Sequence, residues 1–232
     1  MIRILRRCCG PLVAATAISV LATACATTAG HDFPRPVESE LPIGSATRYD
    51  IIAKLGTPYS EKAEVRVLSA VIPNGTPTQG EIRRITYSFF DRNGAAAEGV
   101  SAQRAAHFTL WNDKLVEYGY TSSFLSDSTK FPDTGIEKLA RGKTTRTQVL
   151  EMFGPPGGRG IYPYVDHPGF EVLSYLYFAL SRGRGEMTLR RLTITLDQNG
   201  LLSDYDFATD SQPIPAPPPH ATPYVITMPA RR

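Results

Sequence analysis

Cysteine is scarce in this chain and placed where it holds nothing together. Of three cysteines, Cys8 and Cys9 fall in a leading segment read as removable, which leaves Cys25 alone. No disulfide is then available to the mature chain, and its fold must stand on its core. Histidine is as sparse: His31, His107, His167 and His220 are scattered, with no second His or Cys at ligand spacing, so no metal site is expected. Charge of one sign is lacking too. The net +3 includes Arg3, Arg6 and Arg7, and without them the chain is near neutral, unlike a nucleic-acid binder with its lasting basic excess. No G-x-S-x-G elbow or paired carboxylate stands out, so neither a catalytic residue nor a cofactor is expected, and the protein reads as no enzyme. Gly154 to Gly160 (GPPGGRG) follows a helix and lacks Lys-Ser/Thr, which excludes a phosphate loop and leaves a flexible helix-to-strand connection.

No apolar run reaches the roughly 20 residues that a bilayer helix needs. Residues 1–24 instead have the layout of a signal peptide: three arginines, an uncharged stretch from Cys8 to Ala24, and small residues at its end. Leu21-Ala22-Thr23-Ala24 before Cys25 resembles a bacterial lipobox. That resemblance implies an acylated Cys25 as the new N-terminus and, with no Asp following it, the periplasmic face of the outer membrane. The same residues also read as an A-x-A cleavage site releasing a soluble periplasmic protein. Residues 25–40, with Pro34 and Pro36, read as a tether, and 209–232 as a Pro-rich, extended or disordered tail.

What the chain does have is an internal repeat. Gly44 to Pro58 (GSATRYDIIAKLGTP) and Gly142 to Pro156 (GKTTRTQVLEMFGPP) match at a constant offset of 98 residues. Thr47 with Asp50, and Thr145 with Gln148, have capping-box spacing. Ile51, Ile52 and Leu55, and likewise Val149, Leu150 and Phe153, share a helical face that must be buried. Gly56 and Gly154 can end each helix in a left-handed turn, and Pro58 and Pro156 forbid its continuation, giving about three turns.

Strands are expected at 65–71, 82–90, 107–111 and 115–120, then at 172–180, 189–196 and 201–207, with Asn199-Gly200 as a hairpin signal. The segments Pro73 to Gly80 and Asp91 to Gln103 read as long inter-strand loops, and Asp133 as the cap of a short helix over 133–139. The fold class expected is therefore α+β: two tandem units, 41–125 and 126–208, each a helix plus a three-stranded antiparallel meander, sharing one core.

The pattern G-x-T-T-R-x-x-V-x-x-x-x-G-x-P followed by such a meander resembles the SmpA/OmlA, or BamE-like, family of outer-membrane lipoproteins. The tandem arrangement also resembles the secreted β-lactamase-inhibitor proteins. The first resemblance implies a lipid-anchored adaptor that binds another envelope protein, with the β-barrel assembly machinery as candidate partner; the second implies a secreted inhibitor or sensor. Four residues are expected to touch a partner or lipid headgroups. Arg182 and Arg184 belong to a basic cluster with Arg190 and Arg191. Tyr162 and Tyr164 lie in a loop, whereas tyrosines alternating within strands read as core.

Overall fold

The computed structural model describes residues 28–68, 78–181 and 185–213. In chain order its elements are β1 (Thr28–Gly30), α1 (Arg48–Leu55), β2 (Ser60–Leu68), β3 (Thr78–Asp91), β4 (Val100–Trp111) and β5 (Lys114–Ser122). A single 3-10 turn (Ile136–Lys138) follows, then α2 (Arg146–Phe153), β6 (Gly158–Ile161), β7 (Glu171–Ser181), β8 (Glu186–Leu196) and β9 (Leu202–Pro213).

Both capping boxes form. The Thr47 hydroxyl accepts the Asp50 N–H while the Thr47 N–H donates to the Asp50 carboxylate at 2.8 Å, and Thr145 with Gln148 repeats the exchange at 2.9 Å. Two orphan donors are thereby satisfied at each helix start. At the other ends Gly56 and Gly154 sit at φ +79° and +77°, and their carbonyls accept the hydroxyls of Tyr87 and Tyr175, both at 2.9 Å. Before each helix the chain is laced to the last strand of its own unit. Gly44 N–H donates to Leu115 and Leu115 N–H to Ala46; Gly142 N–H donates to Leu202 and Leu202 N–H to Thr144.

The α+β expectation is overturned. Among the described residues the structure is mostly β, 51% strand against 11% helix, with two α-helices and a β-barrel. Each helix has only eight residues, and each unit has four antiparallel strands rather than three, in the orders β2-β3-β4-β5 and β6-β7-β8-β9. β5 pairs with β6, which joins the units into one nine-stranded sheet, and Val100↔Ser181 with Ser101↔Leu180 closes β4 onto β7. The strands outgrow the sequence reading because hairpin arms that leave the core need no apolar alternation. Thr78–Gly80 and Val100–Gln103, expected in loops, are strand.

The core is double rather than shared. One cluster gathers Phe33, Leu41, Ile51, Leu55, Ile85, Tyr87, Phe108, Leu110 and Leu115, and the other Phe131, Leu139, Val149, Phe153, Leu173, Tyr175, Ile194, Leu196 and Leu202. These nine positions of each cluster correspond in order, while Tyr120 belongs to the first cluster alone and Tyr177 and Ala179 to the second alone. Leu55 becomes Phe153 while Phe108 becomes Ile194, and such compensating changes of volume keep a core packed.

Three other expectations fail locally. Residues 28–40 are no tether: β1 pairs with β3, and Phe33 is buried against Tyr87 at a ring distance of 5.4 Å. β9 runs through Pro213, so residues 209–213 are strand, paired to β8. Asp133 caps no helix; Gly135 stands at that cap, and the Asp133 carboxylate pairs with Arg190 at 3.1 Å.

Candidate functional site

GPPGGRG is no flexible connection, because its second half is strand β6, inserted between β5 and β7. Gly is required there by close approach. A Cβ on Gly158 would collide with the Tyr118 carbonyl, one on Gly157 with the Tyr120 carbonyl, and one on Gly160 with the Tyr164 ring. The seam between the units thus depends on glycine at 157, 158 and 160.

Beyond β6 the chain swings out through residues 162–170 before returning as β7, and this loop faces the Asp197–Gly200 turn between β8 and β9. Between them lies an open cleft of about 460 Å³, walled by Tyr162, Pro168, Phe170 and Gln198. Its charged lining is Arg159, Glu171 and Asp197, and the first two are also paired to Glu38 and Arg146 outside the lining. Glu171 accepts Arg159 Nε at 2.7 Å and Arg146 Nε at 2.8 Å, and Arg159 also reaches Glu38 at 2.5 Å. Burial works against the Arg159 charge, but its bonds to Glu171 and attraction to Glu38 outweigh that and raise its pKa. Asp197 is occupied in shaping the turn, accepting the N–H groups of Asn199 and Leu201. With Arg159 and Glu171 paired and Asp197 bonded to backbone N–H groups, the cleft offers aromatic and peptide-like surface.

The expected contact residues divide. Tyr162 lines the cleft. Tyr164, 42% exposed, covers Gly160 instead and is not part of the cleft wall. Arg182 and Arg184, like Cys25, lie outside the described residues. Their neighbours do not make a cationic patch, for Arg190 stacks on Phe131 at 5.0 Å and pairs with Asp133, while Arg191 on the opposite sheet face pairs with Asp206 at 2.9 Å. Tyr120, Tyr175 and Tyr177 are core. The sequence reading missed Arg159, Phe170 and Glu171; the one available signal was an arginine inside a run of glycines.

A second polar group lies in the first unit, on the sheet face away from its core. His107 Nε2 and Glu117 Oε1 are 2.6 Å apart, and the Thr109 hydroxyl donates to Glu117 Oε2 at 2.8 Å. The ring lies over Gly119, shows 30% of its side chain to solvent, and keeps Nδ1 sealed without a partner among the described residues. Burial opposes the imidazolium, and the Glu117 carboxylate with its hydrogen bond overrides it, so His107 titrates above its usual value. Among the described residues no group of three or more His, Cys, Asp or Glu could hold a metal ion, and no helix is long and apolar enough to cross a membrane.

Compared with protein-family models, curated proteins and solved structures, the chain matches none.

Proposed function

We propose that this chain is a non-catalytic envelope adaptor, anchored by a lipid on Cys25 at the periplasmic face of the outer membrane, which holds a segment of a partner protein in the cleft beside Tyr162. The observation that supports this reading is the cleft's make-up: Tyr162, Pro168 and Phe170 line it together with an Arg159–Glu171 pair, whose charges Glu38 and Arg146 match from outside the lining. Rigid aromatic side chains supply contact area at small entropy cost, and a polar lining matches the N–H and C=O groups of an extended segment. Small-molecule sites are usually more enclosed and more apolar. The resemblance carried by Gly142 to Pro156 makes the β-barrel assembly machinery the first partner to test.

A photo-crosslinking amino acid at position 162, introduced in living cells, tests the cleft. A discrete envelope-protein adduct, lost when Phe170→Ala is added, is the expected result, and no adduct at 162 overturns the assignment. Cys25→Ala tests the anchor: the protein should leave the membrane fraction. Unchanged fractionation would favour a soluble inhibitor or sensor instead.

A further inference from the structure

β6 is paired on both sides. β2, which occupies the same place in the first unit, pairs among the described residues with β3 alone. Its ladder runs unbroken from Ser60↔Thr86 to Leu68↔Thr78, with no bulge and no proline. Bulges and prolines usually blunt an open edge, as do edge charges; β2 keeps only the charges, of both signs, at Glu61, Lys62, Glu64 and Arg66, and alternate backbone N–H and C=O groups along its nine residues face away from β3. Side chains alternate as well: Ala63, Val65 and Val67 on one face, Lys62, Glu64 and Arg66 on the other. Val65 and Val67 are 64% and 65% exposed.

The strand is complementary to itself about Val65. We infer that β2 pairs antiparallel with β2 of a second copy of this chain, around a twofold axis through Val65. That register sets Val65 opposite Val65, Ala63 opposite Val67 twice, and Glu64 opposite Arg66 twice. Moving the axis to residue 64 would put Glu64 on Glu64 and Lys62 on Arg66, and moving it to residue 66 would put Arg66 on Arg66. Like charges directly opposite are unfavourable, which excludes the axes at 64 and 66; an axis at Ala63 would also match charges, Lys62 on Glu64, but it sets exposed Val65 against Glu61, so the valines choose the register about Val65, and an isologous pair closes after two copies. Within one copy Glu64 already meets Arg66 at 2.7 Å and Arg84 at 3.4 Å, with all three side chains about half exposed. These contacts can be exchanged for equivalent ones across the axis without stranding a buried charge. The inference is independent of the cleft, which belongs to the second unit.

The test uses the purified full chain carrying Cys25→Ala, so that it stays in aqueous solution, followed by sedimentation equilibrium. A dimer is expected. Glu64→Arg and Arg66→Glu should each weaken it roughly tenfold or more, since each variant places like charges opposite one another twice. Both substitutions in one chain should restore the dimer. Mixing the two single variants should also give a heterodimer, because at positions 64 and 66 the arginines of one chain then face the glutamates of the other. Restoration shows that the single variants fail by charge and not by misfolding. A monomer at every concentration reached, a dimer indifferent to either substitution, or a mixture that does not associate would each overturn the inference.

Discussion

The two units agree where the helix meets the sheet and differ at the sheet's edge. Capping boxes, the tyrosine hydroxyl on the closing glycine, and the lacing of the pre-helix turn onto the last strand recur with the same bonds. Ser60 and Gly158 begin equivalent strands, yet β2 continues for nine residues with β3 its one partner among the described residues, while β6 stops after four, hemmed in by β5 and β7. The comparison teaches that one small unit tolerates two fates for its first strand. Glycine decides between them, since a Cβ at Gly157 or Gly158 would run into the neighbouring unit's carbonyls of Tyr120 and Tyr118.

If the units are equivalent in their cores, equal damage should follow from equal truncation. Phe33→Ala and Phe131→Ala remove corresponding rings packed on Tyr87 and Tyr175, and each should cost about 3–5 kcal/mol in urea unfolding. A negligible loss at Phe33 would break the comparison and return residues 28–40 to the status of a tether. The edge comes next. Gly158→Ala forces a Cβ into the Tyr118 carbonyl and should cost about 1–3 kcal/mol, whereas Ser60→Ala on the open edge should stay within about 0.5 kcal/mol. Similar values at the two sites would mean that the glycine seam is not what joins the units. Smaller again, Thr47→Ala and Thr145→Ala should each lose about 1 kcal/mol, as both remove the hydroxyl end of a capping box.

Much of this equivalence was legible in the chain. The caps, the closing glycines and the buried faces of α1 and α2 follow from Thr47, Thr145, Gly56 and Gly154 because short-range geometry alone specifies them. Phe33-Pro34 and Phe131-Pro132, and Leu41 and Leu139, also stand 98 residues apart, so the repeat could have been carried back into the leading segment, where proline instead suggested a tether. What could not be read was pairing at a distance. β6 contains Gly158, Arg159 and Gly160 and has no strand propensity of its own; β5 and β7 make it a strand. The hairpins mislead in the same way. Asn199-Gly200 was the stronger signal, yet the two consecutive positive φ values fall at Asn112 and Asp113, while in the later turn Gly200 alone is positive. The cleft was half visible, as Tyr162 without the Arg159–Glu171 pair, because Arg146, Arg159 and Glu38 converge from three separate segments.

Acid-base behaviour should separate the units with the smallest effect. The positions in the second unit that correspond to His107 and Glu117 are Thr193 and Asp204, so the imidazole–carboxylate pair exists only in the first. With the His107 pKa raised in the fold by Glu117, the stability it contributes is complete below the ordinary histidine value of about 6.5 and disappears as pH climbs through the raised value. Unfolding free energy should therefore decline from neutral into mildly alkaline solution, in a part of the range where the carboxylates no longer titrate. NMR titration of the His107 ring should give a midpoint above that of a solvent-exposed histidine in the same chain, and Glu117→Gln should bring it down, since burial would then act unopposed. A His107 midpoint at or below the exposed value in the unmodified protein would show that desolvation wins at this site, and the slope of stability with pH would then run the other way.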